Sequence, residues 1–358
     1  MEINDYLEIM VDKNASDMFY RSGGPVHFRV NGKVISVTED IINMNDMNLA
    51  LKQILTDEAE AYFKKNLDVD FGYYCPELDH RFRVSVFTQR NTPSIVVRNV
   101  PDVLESMDAL GLPSKVLEKL ALENSGLILF AGAMGSGKST AIAGMIEYMN
   151  SNTHKHILTL EKPVEYVFKD GNSIINQREL NKDVASYSAA LKTFALHSPD
   201  VIYIGNLGDC ETMSAALTAA ETGALVISAI EAVNSVQAIE RIVNFFPPHQ
   251  HHQVQDQLSI LLKGVISLKL APLKDGGGRV PACETMLRTP AIARLIRDGK
   301  IREINSHIAS GAGIGMQSFN QSLAGLVAQG RISEEDAAGF LDSTDGFSDT
   351  DKPESKNP

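Results

Sequence analysis

Apolar and polar positions alternate over short stretches in the first hundred residues. Residues 26–30 and 33–37 alternate in this way and flank Asn31-Gly32, a dipeptide typical of a two-residue β-hairpin turn. Residues 46–65 predict a single helical stretch, whose apolar positions are Leu49, Leu51, Ile54 and Leu55. The chain therefore begins with a mixture of strands and helices.

Two more strands are predicted before the pattern changes. Residues 81–87 alternate polar and apolar side chains, as a half-buried strand does, and residues 94–100 form another short apolar stretch. Pro101 then interrupts the pattern. Residues 1–100 therefore predict a small α/β domain, and residues 101–120 predict a linker that contains one short helix.

Mostly apolar strands alternate with helical stretches in the rest of the chain. Helices are predicted at residues 138–149 and 211–221, between strands at residues 127–130, 156–160, 201–204 and 225–230. Apolar strands separated by helices are typical of a largely parallel sheet that is covered on both faces. The predicted fold class is α/β, with a second domain at residues 121–341.

The last segment differs in composition from both domains. Residues 342–358 are rich in Asp, Ser and Lys, and Phe347 is their one aromatic residue. Such a segment lacks the apolar surface needed to offset the entropy of ordering. It predicts a disordered acidic tail.

Composition limits the class of protein. A chain of 358 residues with 44% hydrophobic residues is long enough for two domains with buried cores. No apolar run reaches the roughly 20 residues that cross a bilayer, and the N-terminal segment does not resemble a signal peptide. Three widely spaced cysteines argue against a disulfide framework and a four-cysteine zinc site (Cys75, Cys210 and Cys283). A cytoplasmic location is the simplest interpretation.

The net charge of the chain indicates which classes of partner it is expected to bind. The formal net charge is −12, whereas nucleic-acid-binding proteins usually carry a basic surface. The sequence therefore argues against a nucleic-acid partner, although a local basic patch is compatible with an acidic chain.

A phosphate-binding loop is the clearest motif. The segment Gly132-Ala133-Met134-Gly135-Ser136-Gly137-Lys138-Ser139 fits G-x4-G-K-S throughout and lies between a predicted strand and a predicted helix. Glycines let backbone N–H groups face phosphate oxygens, and the helix N-terminus adds partial positive charge. Lys138 is expected to contact the outer phosphates and Ser139 to bind magnesium. A glycine-rich turn alone would not explain Lys138 and Ser139, so ATP and Mg²⁺ are the predicted ligands.

Several segments around this loop identify a family. From about residue 15 to residue 340 the chain resembles the PilT/PilU family of type IV pilus retraction ATPases, and it resembles the PilU-like members most. Besides the phosphate loop, the matching segments follow the family order: RFRVSVFTQRN, ILTLEKPVEYV, SPDVIYIGNLGDCET, AETG, ERIVNFFP and GMQSFNQSL. Such an ordered set is more specific than a phosphate loop alone.

The resemblance implies a fold, an activity and partners. The implied fold is a PAS-like N-terminal domain followed by a RecA-like P-loop NTPase core, assembled as a hexameric ring. The implied activity converts ATP turnover into withdrawal of pilin subunits at the cytoplasmic face of the inner membrane. The implied partners are copies of the same chain or a PilT-type ATPase in a mixed ring, together with the inner-membrane pilus platform protein. Export-type relatives carry a tetracysteine zinc site that this sequence lacks, so a retraction-type protein is expected.

The resemblance also implies site residues. Gly132 to Thr140 correspond to the Walker A loop, and Glu161 corresponds to the Asp-box glutamate that helps hold magnesium and water. A carboxylate at the end of a strand beside the loop suits that role in an open α/β sheet. Nucleotide-contacting arginines of the N-terminal domain correspond to Arg81, Arg83, Arg90 and Arg98. Alternating arginines are also typical of the solvated face of a strand, and both interpretations stay open.

The catalytic positions depart from the family pattern. The Walker B segment of the family ends in Gly-Glu followed by Arg-Asp, but here Asn206 replaces the catalytic glutamate and Gly208 replaces the arginine. An amide is not a base near neutral pH, and the loss of a general base typically lowers a rate by about 10²- to 10⁴-fold. An amide can still orient water, as glutamine does in small GTPases.

Three further positions differ from the family. Lys162 changes the Asp box, Ala224 replaces a histidine, and Glu231 replaces the histidine that senses the γ-phosphate in the family. A carboxylate at that position repels phosphate unless Lys162 or an arginine pairs with it. Changes in several catalytic roles favour reduced hydrolysis. The alternative is compensation, in which another carboxylate acts as the base: Glu165, Asp209 or Glu211.

The sequence therefore leaves three functions to consider. The first is a working retraction motor ATPase with slow turnover. The second is a non-hydrolytic structural or regulatory ring subunit that transmits movement powered by an active PilT-type partner, and the accessory role of PilU-like proteins favours it. The third, a RecA-fold nucleic-acid motor, is disfavoured by the acidic charge and by the pilus-family segments.

Overall fold

Two β-sheets organise the described part of the chain. The computed structural model describes residues 2–30, 32–100, 106–180 and 182–341. Contacts divide the chain into one unit of Met1–Val103 with Pro163–Val167 and another of Leu104–Lys162 with Phe168–Pro358. The predicted tail, residues 342–358, and residues 101–105 of the predicted linker lie outside the described residues.

The first unit contains a six-stranded antiparallel sheet in the order β3-β2-β1-β6-β5-β4. Its strands are β1 (Asp17–Arg21), β2 (His27–Val30), β3 (Lys33–Ser36), β4 (Asp68–Cys75), β5 (His80–Gln89) and β6 (Thr92–Asn99). Its helices are α1 (Ile3–Asp12), α2 (Met44–Ile54) and α3 (Asp57–Asn66). Residues of α1 and α2 share a buried core with one face of the sheet. The unit is thus a two-layer α/β structure.

Period-two alternation explains the strands of this unit. In β5 the side chains of Phe82, Val84 and Val86 are buried, while the residues between them are half-buried on the other face. The strand predicted at residues 81–87 is therefore confirmed and is longer than predicted. Val30 pairs with Lys33 across the predicted hairpin, which leaves two residues for the turn. Asn31 of that turn lies outside the described residues.

The single helix predicted at residues 46–65 is wrong, because the chain forms two helices there. After α2, Leu55 is extended, with ψ 133°, and Thr56 begins α3. The Thr56 hydroxyl accepts a hydrogen bond from the N–H of Ala59 at 3.3 Å, as an N-cap residue does. Acidic residues in the first turn favour this helix start through the helix dipole (Asp57, Glu58 and Glu60).

The second unit contains a seven-stranded mixed sheet in the order β13-β12-β7-β11-β10-β8-β9. Its strands are β7 (Gly126–Ala131), β8 (His156–Glu161), β9 (Ile174–Glu179), β10 (Val201–Ile204), β11 (Leu225–Ile230), β12 (Leu262–Pro272) and β13 (Arg279–Leu287). Neighbours from β12 to β9 are parallel, and β13 is antiparallel to β12. The predicted α/β class with a largely parallel sheet is confirmed.

Helices cover this sheet and extend beyond it. They are α4 (Ser114–Ala121), α5 (Lys138–Asn152), α6 (Tyr187–Phe194), α7 (Cys210–Glu221), α8 (Ser235–Asn244), α9 (His251–Leu261), α10 (Pro290–Arg297), α11 (Ile304–Ala309), α12 (Phe319–Ala328) and α13 (Glu334–Ala338). Every residue of β7, β10 and β11 is buried, as expected for central parallel strands. Within the described part of the chain, no helix has the length and apolar character to cross a membrane.

A buried carboxylate connects three elements of the second unit. Glu284 of β13 is 4% exposed. Its Oε1 accepts hydrogen bonds from the backbone N–H of Ser235 at 2.7 Å, the Ser235 hydroxyl at 2.6 Å and the Ser267 hydroxyl at 3.1 Å. Ser235 is the first residue of α8, where the helix dipole favours a negative charge. Glu284 thus fixes the start of α8 against β12 and β13.

Replacement of this carboxylate should destabilise the second unit. Glu284→Ala leaves three buried donors without their acceptor and should lower the free energy of unfolding by about 2–4 kcal/mol. Glu284→Gln keeps an acceptor oxygen and should cost less. Urea-unfolding curves measure both variants, with exposed Glu303→Ala as the control, expected to stay within about 0.5 kcal/mol of the parent. Equal unfolding midpoints for Glu284→Ala and the parent would contradict this role.

Candidate nucleotide site

The phosphate loop connects the end of a buried strand to the start of a helix. β7 ends at Ala131 and α5 begins at Lys138, with Gly137 at its N-cap position. Gly135 and Gly137 have φ values of 75° and 93°, which side-chain-bearing residues rarely adopt. The first N–H groups of a helix lack intrahelical acceptors, so the start of α5 presents donors toward the loop. The positive φ values therefore explain why the motif has glycine at positions 135 and 137.

The interior of the loop fits an anion. A Cβ at Gly132 would collide with the Ser136 hydroxyl and lie 2.9 Å from the Leu268 carbonyl oxygen. Among the described residues, the Ser136 hydroxyl is a buried group that makes no hydrogen bond. Lys138 Nζ donates to the carbonyl oxygens of Gly132 and Ala133, both at 2.8 Å. A buried hydroxyl donor and an ammonium group in one loop suit a phosphate group.

An apolar cavity of about 380 Å³ adjoins this loop. The loop and the first turn of α5 form one side of it with Ser136, Gly137, Thr140 and Ala141, and the rest comes from three distant segments: Leu110, Leu112, Leu268, Leu270, Gly278, Arg279 and Pro281. A cavity of this size with mostly apolar walls suits a planar heterocycle such as a nucleobase. Sequence reasoning missed these wall residues because no local motif connects them. Leu268, a buried residue of β12, lines the cavity.

Four neighbouring parallel strands bring the other predicted residues to one edge of the sheet. The phosphate loop follows β7, and Glu231 follows the neighbouring strand β11. Asn206 lies two residues after β10, and Glu161 is the last residue of β8. The N–H of Gly132 donates to the Ile230 carbonyl at 3.3 Å, which places the start of the loop beside the end of β11. The carboxyl edge of a parallel sheet is the usual ligand site of such folds.

Glu161 and Asn206 lie at adjacent strand ends and differ in environment. Glu161 is 4% exposed, and its Oε1 accepts hydrogen bonds from the Thr159 hydroxyl at 2.7 Å and from Gln177 Nε2 at 3.4 Å. Asn206 is exposed, and it follows Gly205, where a Cβ would lie 3.4 Å from Glu161 Cα. The structure thus brings the two predicted catalytic residues together, with the carboxylate held inside and the amide toward solvent.

Tyr187 of α6 is a further residue near these groups. Burial, and then the negative charges of Glu161 and Asp209, raise the pKa of the Tyr187 phenol to about 12. The phenol therefore stays protonated near neutral pH and keeps an O–H donor close to two carboxylates. Sequence reasoning missed Tyr187 because it lies on a separate helix without a motif.

Two of the three carboxylates considered as substitute bases have structural partners. Asp209 caps α7, where it accepts hydrogen bonds from the N–H and the hydroxyl of Thr212 at 2.8 and 3.0 Å. Glu165 belongs to the first unit and lies 3.7 Å from Arg83. Glu211 is exposed in the first turn of α7, where the helix dipole stabilises its charge. These contacts favour Asp209 and Glu165 as structural groups.

The sequence predicts that Glu231 repels phosphate unless Lys162 or an arginine pairs with it, and the structure shows an arginine as its partner. Arg241 of α8 lies 3.9 Å from the Glu231 carboxylate. Lys162, the other candidate partner, is exposed at the residue after β8. The pair offsets the negative charge that Glu231 brings to the edge of the sheet.

The predicted arginines of the first unit lie on strands β5 and β6 and at their turn. Arg83 and Arg98 are opposite each other in the sheet, and each forms an ion pair: Arg83 with Asp70 at 2.6 Å and Arg98 with Asp17 at 3.1 Å. Arg81 lies two residues before Arg83 on the same face of β5. Arg90 is exposed at the turn, with a φ of 46°. The ion pairs support the solvated-face interpretation, and nucleotide contact by these arginines stays a prediction.

Comparison with known proteins identifies relatives over almost the whole chain. Residues 1–327 match the family described as "Type II/IV secretion system protein". The type IV pilus ATPase PilU of Pseudomonas aeruginosa is 39% identical over 343 residues, which cover 96% of this chain and 89% of PilU. The type IV pilus retractation ATPase PilT of the same organism is 37% identical over 337 residues, which cover 94% of this chain and 97% of PilT.

A solved structure shows the same architecture. The crystal structure of the pilus retraction motor PilT with bound ADP has a TM-score of 0.87 and 37% sequence identity. The similarity covers 96% of this chain and 98% of the PilT chain. The resemblance found in the sequence and the predicted RecA-like core are thus confirmed.

A substitution at Gly132 tests whether the interior of the phosphate loop has room for a side chain. Gly132→Ala places a methyl group against Ser136 and the Leu268 carbonyl, so the loop must shift, and nucleotide affinity should fall by about 100-fold or more. Fluorescent-nucleotide titration measures the effect. The matched control is Gly325→Ala in α12, where the added Cβ meets open space and affinity should stay unchanged. Full affinity in Gly132→Ala would show that the described loop is not the binding conformation.

Proposed function

Because the chain belongs to the type II/IV secretion system protein family, within the PilT/PilU pilus ATPases, we propose that it is a pilus retraction motor subunit that binds ATP and hydrolyses it slowly. The observation that carries the proposal is the combination of an intact phosphate loop with Asn206 at the adjacent strand end, beside the buried Glu161. The loop keeps the groups that bind phosphate, whereas the residue beside it lacks a basic carboxylate.

The residues present fit ATP with magnesium. The loop from Gly132 to Thr140 would hold the phosphates, with Lys138 on the outer ones, and Ser139 and Glu161 would hold the metal. Magnesium, when bound, neutralises phosphate charge and so favours attack on the terminal phosphorus. The adjoining apolar cavity would take the base.

Reduced hydrolysis follows from the protein groups themselves. The Asn206 amide can orient a water molecule but does not accept its proton near neutral pH, so a rate about 10²- to 10⁴-fold below that of a carboxylate-bearing relative is expected. Asp209 and Glu165 have the cap and ion-pair partners described above, so neither replaces the base without losing a structural contact. The raised pKa of the Tyr187 phenol keeps it protonated near neutral pH, so it is not a base either.

The proposed assembly is a ring at the cytoplasmic face of the inner membrane. It would contain six copies of this chain, or this chain mixed with a PilT-type ATPase, bound to the inner-membrane pilus platform protein. The similarity to both PilU and PilT of one organism, at 39% and 37% identity, supports a place in the pilus motor system. In such a ring the first-unit arginines Arg81, Arg83, Arg90 and Arg98 are candidates for contact with a nucleotide of the neighbouring subunit.

A second candidate function is a non-hydrolytic, accessory ring subunit. Asn206 in place of the base and Glu231 at the next strand end favour it, because both change the chemistry beside the terminal phosphate and leave the loop intact. Such a subunit would bind ATP and transmit movement powered by an active PilT-type neighbour. The two functions differ in whether the purified chain turns over ATP at all.

Asn206→Glu tests the missing base. The parent chain should bind ATP in the micromolar range with little turnover, and Asn206→Glu should raise turnover by at least tenfold because it restores a carboxylate at the strand end. Coupled phosphate-release assays measure both. Lys138→Ala serves as the blank for contaminating ATPase, and exposed Asn305→Glu controls for added surface charge.

The same assay separates the alternatives. Slow but measurable parent turnover that Lys138→Ala abolishes supports the motor, and parent turnover equal to the blank supports the accessory subunit. Brisk parent turnover that Asn206→Glu does not raise would contradict reduced hydrolysis.

A further inference from the structure

A second cavity lies outside the phosphate loop, beside the turn that joins β12 to β13. Its volume is about 470 Å³, and its walls come from this turn and from the end of α12: Leu273, Lys274, Asp275, Gly330 and Arg331. Gly330 follows the C-cap of α12 with a φ of 69°. The N–H of Lys274 donates to the Arg331 carbonyl at 2.9 Å. Two basic residues are therefore neighbours in the wall of one cavity.

The basic groups of this cavity lack anionic partners in the part of the chain that the structure describes. Neither the Lys274 ammonium nor the Arg331 guanidinium forms an ion pair or a side-chain hydrogen bond there. The Asp275 carboxylate accepts a hydrogen bond from the N–H of Gly277 at 2.9 Å and so stabilises the turn. By contrast, Arg302 of the same unit lies 3.5 Å from a carboxylate. The cavity therefore suits an anionic ligand that also has an apolar part to pack on Leu273.

The described chain ends close to this cavity. Phe340 and Leu341 pack against a small apolar cluster formed by β12, β13, α12 and α13, and Leu273 of the cavity wall packs against the same cluster. Lys269 Nζ donates to the Phe340 carbonyl at 3.3 Å, which fixes the end of the described chain beside β12. The segment that follows, residues 342–358, lies outside the described residues. Its point of attachment is therefore near the cavity.

The sequence of residues 342–358 complements the cavity in charge and in shape. The segment carries five carboxylate side chains and two lysines, and Phe347 is its one aromatic residue. Asp345 and Asp349 stand two positions before and after Phe347, and alternate residues of an extended chain share a face. A phenyl ring between two carboxylates matches an apolar wall residue beside two basic groups. Phe347 is six residues beyond Leu341, which allows a reach of about 20 Å.

We propose that residues 342–358 dock in this cavity of their own chain. Phe347 packs on Leu273, and Asp345 and Asp349 pair with the two basic groups of the wall. A segment with so few apolar residues gains too little from ordering by itself, but it can order on a preformed surface. A short tether gives an effective concentration of about 1 mM, so a site with a dissociation constant of about 1 mM is occupied in roughly half of the molecules.

The docked segment would lie beside the cavity proposed for the nucleobase. A Cβ at Gly111 would lie 3.1 Å from Arg331 Nη1, and Gly111 stands between Leu110 and Leu112, which line that other cavity. Arg279, after the same turn between β12 and β13, lines it as well. The docking itself involves no nucleotide, so this inference does not rest on the proposed function.

A single tryptophan in the full chain tests the docking. The chain contains no tryptophan, so Phe347→Trp introduces one fluorophore into the segment. Docking should protect the indole, so acrylamide should quench it about twofold less strongly than after Lys274→Ala with Arg331→Ala in the same background. Asp345→Asn with Asp349→Asn should remove the same protection. Because these two substitutions lie outside the cavity walls, their effect does not depend on the folding of the cavity.

Lys300→Ala with Arg302→Ala is the matched control, because it removes two basic groups from another exposed site of the same unit and should leave quenching unchanged. Equal quenching in the Phe347→Trp chain and in both test variants would contradict the docking. Protection that persists without Lys274 and Arg331 would place the segment elsewhere and also overturn it. Protection that falls on dilution would show binding to a second copy, which excludes docking within one chain.

Discussion

Parallel pairing of buried strands is the constraint on which the nucleotide site depends. Because β7, β11, β10 and β8 run in the same direction, the residues that follow them meet at one edge of the sheet, although they come from segments up to about a hundred residues apart. Complete burial of the central strands fixes their register, so the positions of the strand ends are fixed as well. Gly205, the residue after β10, lies next to Glu161, so Asn206 follows directly at the neighbouring strand end.

Binding and hydrolysis depend on different groups at this edge, so one can change without the other. In the proposed site the loop would bind phosphate through Lys138 and through backbone N–H groups, which a sequence presents as long as it keeps the glycines. Fast hydrolysis needs a basic carboxylate, and at the position proposed for that base this chain has Asn206. Asp209 does not replace it without cost, because its oxygens already cap α7. The same edge carries Glu231, whose charge Arg241 offsets.

In the first unit, charged side chains on one face of the sheet form ion pairs with one another. Asp17 accepts contacts from Arg29 and Arg98, both at 3.1 Å, and these residues are direct neighbours across three strands. Arg83, opposite Arg98, is held by Asp70. Carboxylates between arginines reduce their mutual repulsion and keep the guanidiniums extended on one face of the sheet. Contact with a ligand would therefore compete with these internal pairs.

The sequence by itself determined what depends on local periodicity and local motifs. It predicted β10 and β11 with their observed bounds, the phosphate loop and the α/β class, because buried strands and glycine turns are encoded by adjacent residues. It also contained the Thr56 cap that divides α2 from α3, a signal the prediction overlooked. Only the tertiary structure decided which distant side chains meet: Glu284 with Ser235, Leu268 with the cavity, and Arg241 with Glu231. Such contacts follow from strand order and helix placement, which no local pattern specifies.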